Sequence, residues 1–390
     1  MATHTRAHCT RAALALLLTV ASCGDDSAAP TGTTSTGATS TGATSPGTTA
    51  GTTASTSAET AATSLPTTDT TTDTTTDTGE PHDPKPSAPR SLVHYITGDP
   101  EDADVQPTGP ALILMGGGAD VDQAFAWWGQ YLAGGDVVVL RASGADGYND
   151  YLYDFGNASS IETMLVPAEL AADPYVLWTL RHAEAIWLPG GDQANYLNYW
   201  RGTPIEDELQ AAWARGAVLG GTSAGLAVLG EFIYAAYNDS VYSYEALEDP
   251  YNDYMTLERD FLQLSPLAGV ITDSHFGERD RMGRLIGFLA RLHADGWASA
   301  AVGVGVDEAT AVLIPPDGKG EVIGAGHVYV VRADQPPLLC EPAQFLDYPG
   351  LEYHTLAQGD ALHFPGAIAE GSASPLAAAG GVTMPADPYP

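Results

Sequence analysis

Three short apolar runs in this chain end in glycine: Ala111–Met115 before Gly116-Gly117-Gly118, Ala185–Leu188 before Gly190-Gly191, and 217–219 before Gly220-Gly221. Such runs are too short for helices and too uniformly apolar for a half-solvated sheet, so they read as strands buried on both faces. Residues 136–142, led by Val137-Val138-Val139-Leu140, read as another. Helical patterns fill the gaps. Asp120 is placed to cap one helix, and Thr203-Pro204-Ile205-Glu206 opens a second that runs to Arg215 and stops at Gly216. Strand and helix in alternation imply βαβ units and a mostly parallel sheet flanked by helices. After Ala301 the runs 302–306, 311–314, 321–323 and 328–331 lie too close together for crossover helices. They are expected to pair antiparallel at one sheet edge, as a C-terminal antiparallel β extension. The expected architecture is one α/β domain over 91–366 and an Ala/Gly/Pro-rich tail over 367–390.

What precedes residue 91 cannot fold in this way. Residues 31–80 contain 23 threonines, and Leu65 is their only large aliphatic side chain. That segment buries too little apolar surface to offset its ordering entropy, so 23–90 is expected to be a disordered tether. Residues 1–22 have the form of an export signal: Arg6 and Arg11, then an apolar run at 12–20 that is far shorter than the ~20 residues a membrane span requires. The run ends in Val20-Ala21-Ser22-Cys23, which resembles the lipobox of bacterial lipoproteins. That resemblance implies cleavage before Cys23, acylation of its thiol, and anchoring to the cell envelope, with Gly24 after the cysteine pointing to the outer membrane. Cys9 would leave with the signal, and Cys340 is expected as a small core residue.

Composition narrows the function classes. With 49 Asp+Glu against 15 Lys+Arg, the formal charge is −34, which argues against nucleic acid as the main ligand. Scattered histidines without an H-E-x-x-H or paired-cysteine spacing suggest no metal. The glycine triplet lacks the Gly-Lys-Ser/Thr of a phosphate loop, and no cofactor is indicated.

The chemistry-bearing segment is Gly220-Gly221-Thr222-Ser223-Ala224-Gly225 at a strand-to-helix junction. A serine on so sharp a turn has a strained backbone, which flanking glycines tolerate, and the helix start offers N–H groups to a developing oxyanion. Of the ten histidines, His275 is favoured as its base because Asp273-Ser274-His275-Phe276 follows an expected strand, 269–272. The next helix places Met282, Leu285, Ile286 and Leu289 on one apolar stripe. Four of thirteen arginines lie between 279 and 291. Two readings of them stay open: neutralisation of nearby acids, or a clamp for a substrate carboxylate made by Arg281 and Arg284.

With these elements in place, the chain resembles the cyanophycinase and dipeptidase E family of serine peptidases, whose fold is like that of class I glutamine amidotransferases. The resemblance rests on Gly116-Gly117-Gly118, Gly190-Gly191-Asp192-Gln193, Gly220–Gly225, Asp273–Arg284 and Gly305-Val306-Asp307-Glu308-Ala309-Thr310-Ala311, covering roughly 110–315. It implies a Ser–His–acid triad with Ser223 as nucleophile and His275 as general base. It also implies an acid some 15–20 residues after the serine, where Glu245 is the first choice and Asp239 the rival. Gly191 and Ala224 would supply the oxyanion hole. Asp192 and Gln193 would face substrate or cap the next helix. The implied substrate is an aspartyl peptide or cyanophycin, a polyaspartate carrying arginine, cleaved to β-aspartyl-arginine. Relatives suggest a homodimer. Two alternatives share the serine motif: an esterase of the α/β-hydrolase type, and an inactive surface-binding module, favoured if neither Glu245 nor Asp239 can approach His275.

Overall fold

The computed structural model describes residues 83–390. The expected signal segment, lipid-bearing Cys23 and most of the tether lie outside those residues. Ordered contacts begin ahead of residue 91: the Asp83 carbonyl accepts the Trp178 indole N–H at 2.9 Å, and the Lys85 ammonium lies 3.9 Å from Glu162 and 5.3 Å from the Trp178 ring.

Strands form two sheets. The first, of ten strands, runs Val93–Gly98, Ser160–Leu165, Asp136–Arg141, Ala185–Leu188, Val218–Thr222, Ala111–Met115, Thr310–Ile314, Lys319–Gly324, Ala361–His363 and Ile368–Ala369. Its five strands from Ser160–Leu165 to Ala111–Met115 are mutually parallel, and the flanking pairs are antiparallel. The second has eight strands, with Val270–Asp273 parallel to both Ala301–Val306 and Phe232–Tyr234. The α/β class and the antiparallel C-terminal region are as read from sequence; the single sheet is not. Strands Thr310–Ile314 and Lys319–Gly324 pair on the first sheet, whereas Ala301–Val306 and Val328–Ala333 pair on the second. Short hairpin spacing specifies antiparallel partners but carries no information on which sheet receives them. Nor is 367–390 a plain tail. Ser374–Ala379 and Val382–Met384 extend the second sheet beyond Tyr348–Leu356.

Alternation along the strands divides the core. Leu112 and Leu114 pack with Val138, Leu219 and, from the second sheet, Val304 and Val330. Their neighbours Ile113 and Met115 face the Asp122–Leu132 helix, where Phe125 and Trp128 meet Trp187. A third cluster forms beneath the Met282–Ala294 helix. Met282, Leu285, Ile286 and Leu289 are fully buried there, each stabilising the fold by about 1.5–3 kcal/mol. The expected stripe is therefore the buried one. Asp120 is not the expected cap: it accepts a hydrogen bond from the Tyr148 hydroxyl while Val121 stands at the N-cap. Thr203 does stand at the N-cap before Pro204, but its hydroxyl donates to the Trp200 carbonyl instead of capping the helix.

Candidate active site

Ser223 sits between the Val218–Thr222 strand and the four-residue Ala224–Ala227 helix, at φ 55° and ψ −116°. This strained backbone projects its hydroxyl out of the sheet. Only a close approach of neighbouring backbone permits so sharp a turn. A Cβ at Gly225 would overlap the Leu188 carbonyl, which explains the glycine two residues after the serine.

The Ser223 Oγ lies 2.7 Å from His275 Nε2, across 52 residues of sequence. His275 follows the Val270–Asp273 strand, also at positive φ (45°), and its N–H donates to the Gly116 carbonyl at 2.7 Å. On the far side of the ring, Nδ1 is 2.6 Å from Glu308 Oε1. The glycine triplet explains itself here. A Cβ at Gly117 would overlap the His275 ring, and one at Gly118 would press on Glu308 at 2.9 Å. The triplet is a wall thin enough for the imidazole–carboxylate pair to lie against it.

The acidic partner differs from the sequence expectation. Glu245 does not partner His275: at the third position of the Ser243–Glu248 helix, its carboxylate accepts the Tyr242 N–H at 2.8 Å and takes part in a capping box. Asp239 is turned to its own loop, with its carboxylate on the Ser240 N–H. Glu308 belongs to the Gly305–Ala311 segment, far beyond the 15–20 residues past the serine where the resemblance implies an acid. The signal was the strand: Ala301–Val306 lies beside Val270–Asp273 in parallel register, Gly305 opposite Asp273, so the residues following both strands converge. Neither Glu245 nor Asp239 reaches His275, which is the condition set for an inactive module, but Glu308 supplies the carboxylate in their place.

Burial pushes the His275 imidazole below its ordinary value of 6.5; the Glu308 hydrogen bond opposes this, and the charges of Arg279 and Arg281 add to it. The ring is therefore neutral near pH 7 and able to accept a proton. With Glu308 on Nδ1, the tautomer that carries its proton there leaves Nε2 open toward Ser223.

The arginine clamp is also revised. Arg284 is almost fully buried and grips Asp273 with two nitrogens, Nε at 2.8 Å and Nη2 at 2.5 Å, while Nη1 donates to Ser240 Oγ at 3.0 Å. Arg281 donates from Nη1 to the Ser274 carbonyl at 2.7 Å and reaches Asp273 at 3.4 Å. Burial raises the Asp273 carboxyl, but Arg284 and Arg281 outweigh it and hold the group below its usual range. Of the two open readings, neutralisation is the one the geometry realises, and the pair braces the strand end that carries His275. Arg279, by contrast, is exposed on the same turn. Asp192 caps the Gln193–Trp200 helix through the Ala194 N–H at 2.9 Å, and Gln193 donates to the Tyr234 carbonyl at 3.3 Å. Gly190 lies against the serine, since a Cβ there would sit 3.4 Å from Ser223 Cβ. Ala224 occupies the first helical position, where an N–H has no partner inside its helix. Cys340 is half-buried against the second sheet's core, its thiol pushed up to about 11 by burial. Among the described residues, no group of three or more His, Cys, Asp or Glu is placed to hold a metal ion, and no helix is long and apolar enough to cross a membrane.

Residues 152–314 match the model of Peptidase family S51. A cyanophycinase of Synechococcus elongatus is 32% identical over 186 residues, covering 47% of this chain and 52% of its own length. A cyanophycinase of Trichormus variabilis is 30% identical over 190 residues, covering 47% and 58%. The chain thus spans about half the length of the curated relatives it matches. Among solved structures, a peptidase from an acI-B1 actinobacterium aligns at TM-score 0.46 and 15% identity, over 66% of this chain and 97% of that one. The resemblance to the cyanophycinase and dipeptidase E peptidases read from the sequence is borne out by the S51 match over 152–314, the stretch that holds Ser223, His275 and Glu308.

Proposed function

We propose that this protein is a serine peptidase of the cyanophycinase kind, acting through an acyl-enzyme on aspartyl peptides and foremost on cyanophycin. The observation that carries the reading is the continuous relay Ser223–His275–Glu308, at 2.7 and 2.6 Å, on a strained serine elbow. In the reaction, Ser223 Oγ gives its proton to His275 Nε2 and attacks the scissile carbonyl. Glu308 stabilises the imidazolium that forms. The N–H groups of Ala224 and Gly191 receive the oxyanion. His275 then passes the proton to the leaving amine as the C–N bond breaks. Water, deprotonated by the same imidazole, hydrolyses the ester and restores the serine.

Substrate preference is read from charge. Arg279 faces solvent beside His275, suited to a carboxylate of an aspartyl residue. A chain of formal charge −34 attracts a polymer that displays guanidinium groups. Anchoring through Cys23 and the 23–90 tether would place such an enzyme against polymer outside the cell, whereas turnover of granules in its own cytoplasm would need neither feature.

The test is incubation of the chain with insoluble cyanophycin, with mass analysis of what dissolves. Release of β-aspartyl-arginine by the native chain and none by Ser223→Ala supports the reading. An intact polymer together with cleavage of a short Asp-initiated peptide would move the assignment to an aspartyl dipeptidase. Inertness toward both substrates would end it.

A further inference from the structure

The turn from His275 to Arg281 carries the imidazole and Arg279, yet the helix it leads into, Met282–Ala294, has no side-chain cap of its own. The first N–H groups of a helix need partners from elsewhere. Two hydroxyls from distant parts of the chain supply them. Tyr389 Oη accepts the Met282 N–H at 2.9 Å across 107 residues, and Ser243 Oγ accepts the Arg284 N–H at 3.2 Å. Both hydroxyls then donate to one residue, Asp280: Tyr389 to its carboxylate at 3.1 Å, Ser243 to its carbonyl. Asp280 stands at φ 49° in the left-handed region, where a non-glycine residue needs outside support.

The surroundings are built for this contact. The Tyr389 ring is partly buried and meets Tyr329 edge-on at 5.6 Å and Phe276 at 6.4 Å. Phe276 is fully buried and directly follows His275. Gly283 lets the second donor approach, since a Cβ there would sit 2.8 Å from Ser243 Cβ. On its other side the turn is tied by Asp307, whose carboxylate accepts the Gly277 N–H at 2.7 Å.

We propose that Tyr389, with Ser243, is a positioning residue: a two-hydroxyl clamp on Asp280 that fixes the turn presenting His275 and Arg279. Neither hydroxyl touches the reacting atoms. The clamp acts through Asp280 and the helix start, and it gives the C-terminal segment a part in the active site. The inference rests on the reading of Ser223 as nucleophile, so the experiment includes a readout independent of that reading.

The full chain would be compared with Tyr389→Phe, Ser243→Ala and Asp280→Ala, and with the Tyr389→Phe/Asp280→Ala double variant. Tyr389→Phe keeps the ring and deletes both hydrogen bonds. Amide exchange over 276–284 is expected to quicken on the order of ten-fold in it, with exchange in the Ala111–Met115 strand unchanged. Labelling of Ser223 by a fluorophosphonate is expected to slow three- to ten-fold, and the double variant to be no slower than Asp280→Ala alone. A bare helix cap predicts a lower Tm with an unchanged labelling rate in the folded protein, and that result would overturn the proposal. So would additive effects of Tyr389→Phe and Asp280→Ala, or unaltered exchange at 276–284. If native Ser223 takes no label, the acyl-transfer reading fails, while the exchange measurement still decides the clamp.

Discussion

Replacing Glu308 with Gln is the perturbation that most sharply separates the structure from the sequence expectation. Glu308 Oε1 lies 2.6 Å from His275 Nδ1, and about a third of the side chain remains exposed. A hydrogen bond to a charged group contributes about 1.5–3 kcal/mol, which is roughly ten- to 150-fold in rate if it is realised only when the imidazole is protonated. Glutamine can do further damage. Its amide N–H can donate to Nδ1 and hold the ring in the tautomer whose proton lies on Nε2, where it can no longer accept from Ser223; in a serine protease the corresponding acid-to-amide change costs about 10⁴. We expect kcat/KM to fall by about 10² to 10⁴, with KM and Tm little changed. Glu245→Gln should remain within about three-fold of native, since a glutamine oxygen still accepts the Tyr242 N–H at the helix start. The assay is dipeptide release from cyanophycin over a range of substrate concentrations, with circular dichroism to verify folding. Near-native activity in Glu308→Gln, with a collapse in Glu245→Gln, would refute the triad as drawn.

Other predictions follow from the same geometry. The acidic limb of kcat/KM should have its midpoint below 6.5, because burial holds the His275 imidazole low and only the neutral ring can take the serine proton; a midpoint above 6.5 in a pH–rate profile would contradict this. Asp273→Ala leaves the buried Arg284 guanidinium without its carboxylate and should destabilise the fold by about 3–5 kcal/mol in urea unfolding. The pH dependence has a matching sign. With the Asp273 carboxyl held below its ordinary value, its share of stability is present at neutral pH and is lost as pH falls through the depressed folded-state value. Gly117→Ala places a methyl group against the imidazole at a backbone φ of 101°, and kcat should drop at least ten-fold while the chain still folds.

The strands that end in glycine, the serine elbow, His275 and the apolar stripe of the last long helix were legible in the sequence because each is a local pattern: a run, a turn or a period. What escaped was set by contacts distant in sequence. Glu308 reaches His275 only because two parallel strands, 270–273 and 301–306, end side by side, and no spacing along the chain reports that neighbour relation. Arg281 and Arg284 lie in a basic cluster that suits a clamp equally well, and only the buried position of Asp273 beside them decides the matter. The small, glycine-rich composition of 367–390 hides strands whose partners lie in the second sheet, and it gives no sign that Tyr389 will reach back to Asp280.

The central claim is that the Ser223 hydroxyl is activated by the His275 imidazole. Its most direct measurement is peptide mass mapping after exposure of the native chain to an activated fluorophosphonate, alongside Ser223→Ala and His275→Gln. The account predicts a single adduct on the peptide containing Ser223, absent from the first variant and formed at least a hundred-fold more slowly in the second. An adduct on another residue, or equal labelling of native chain and His275→Gln, would contradict it.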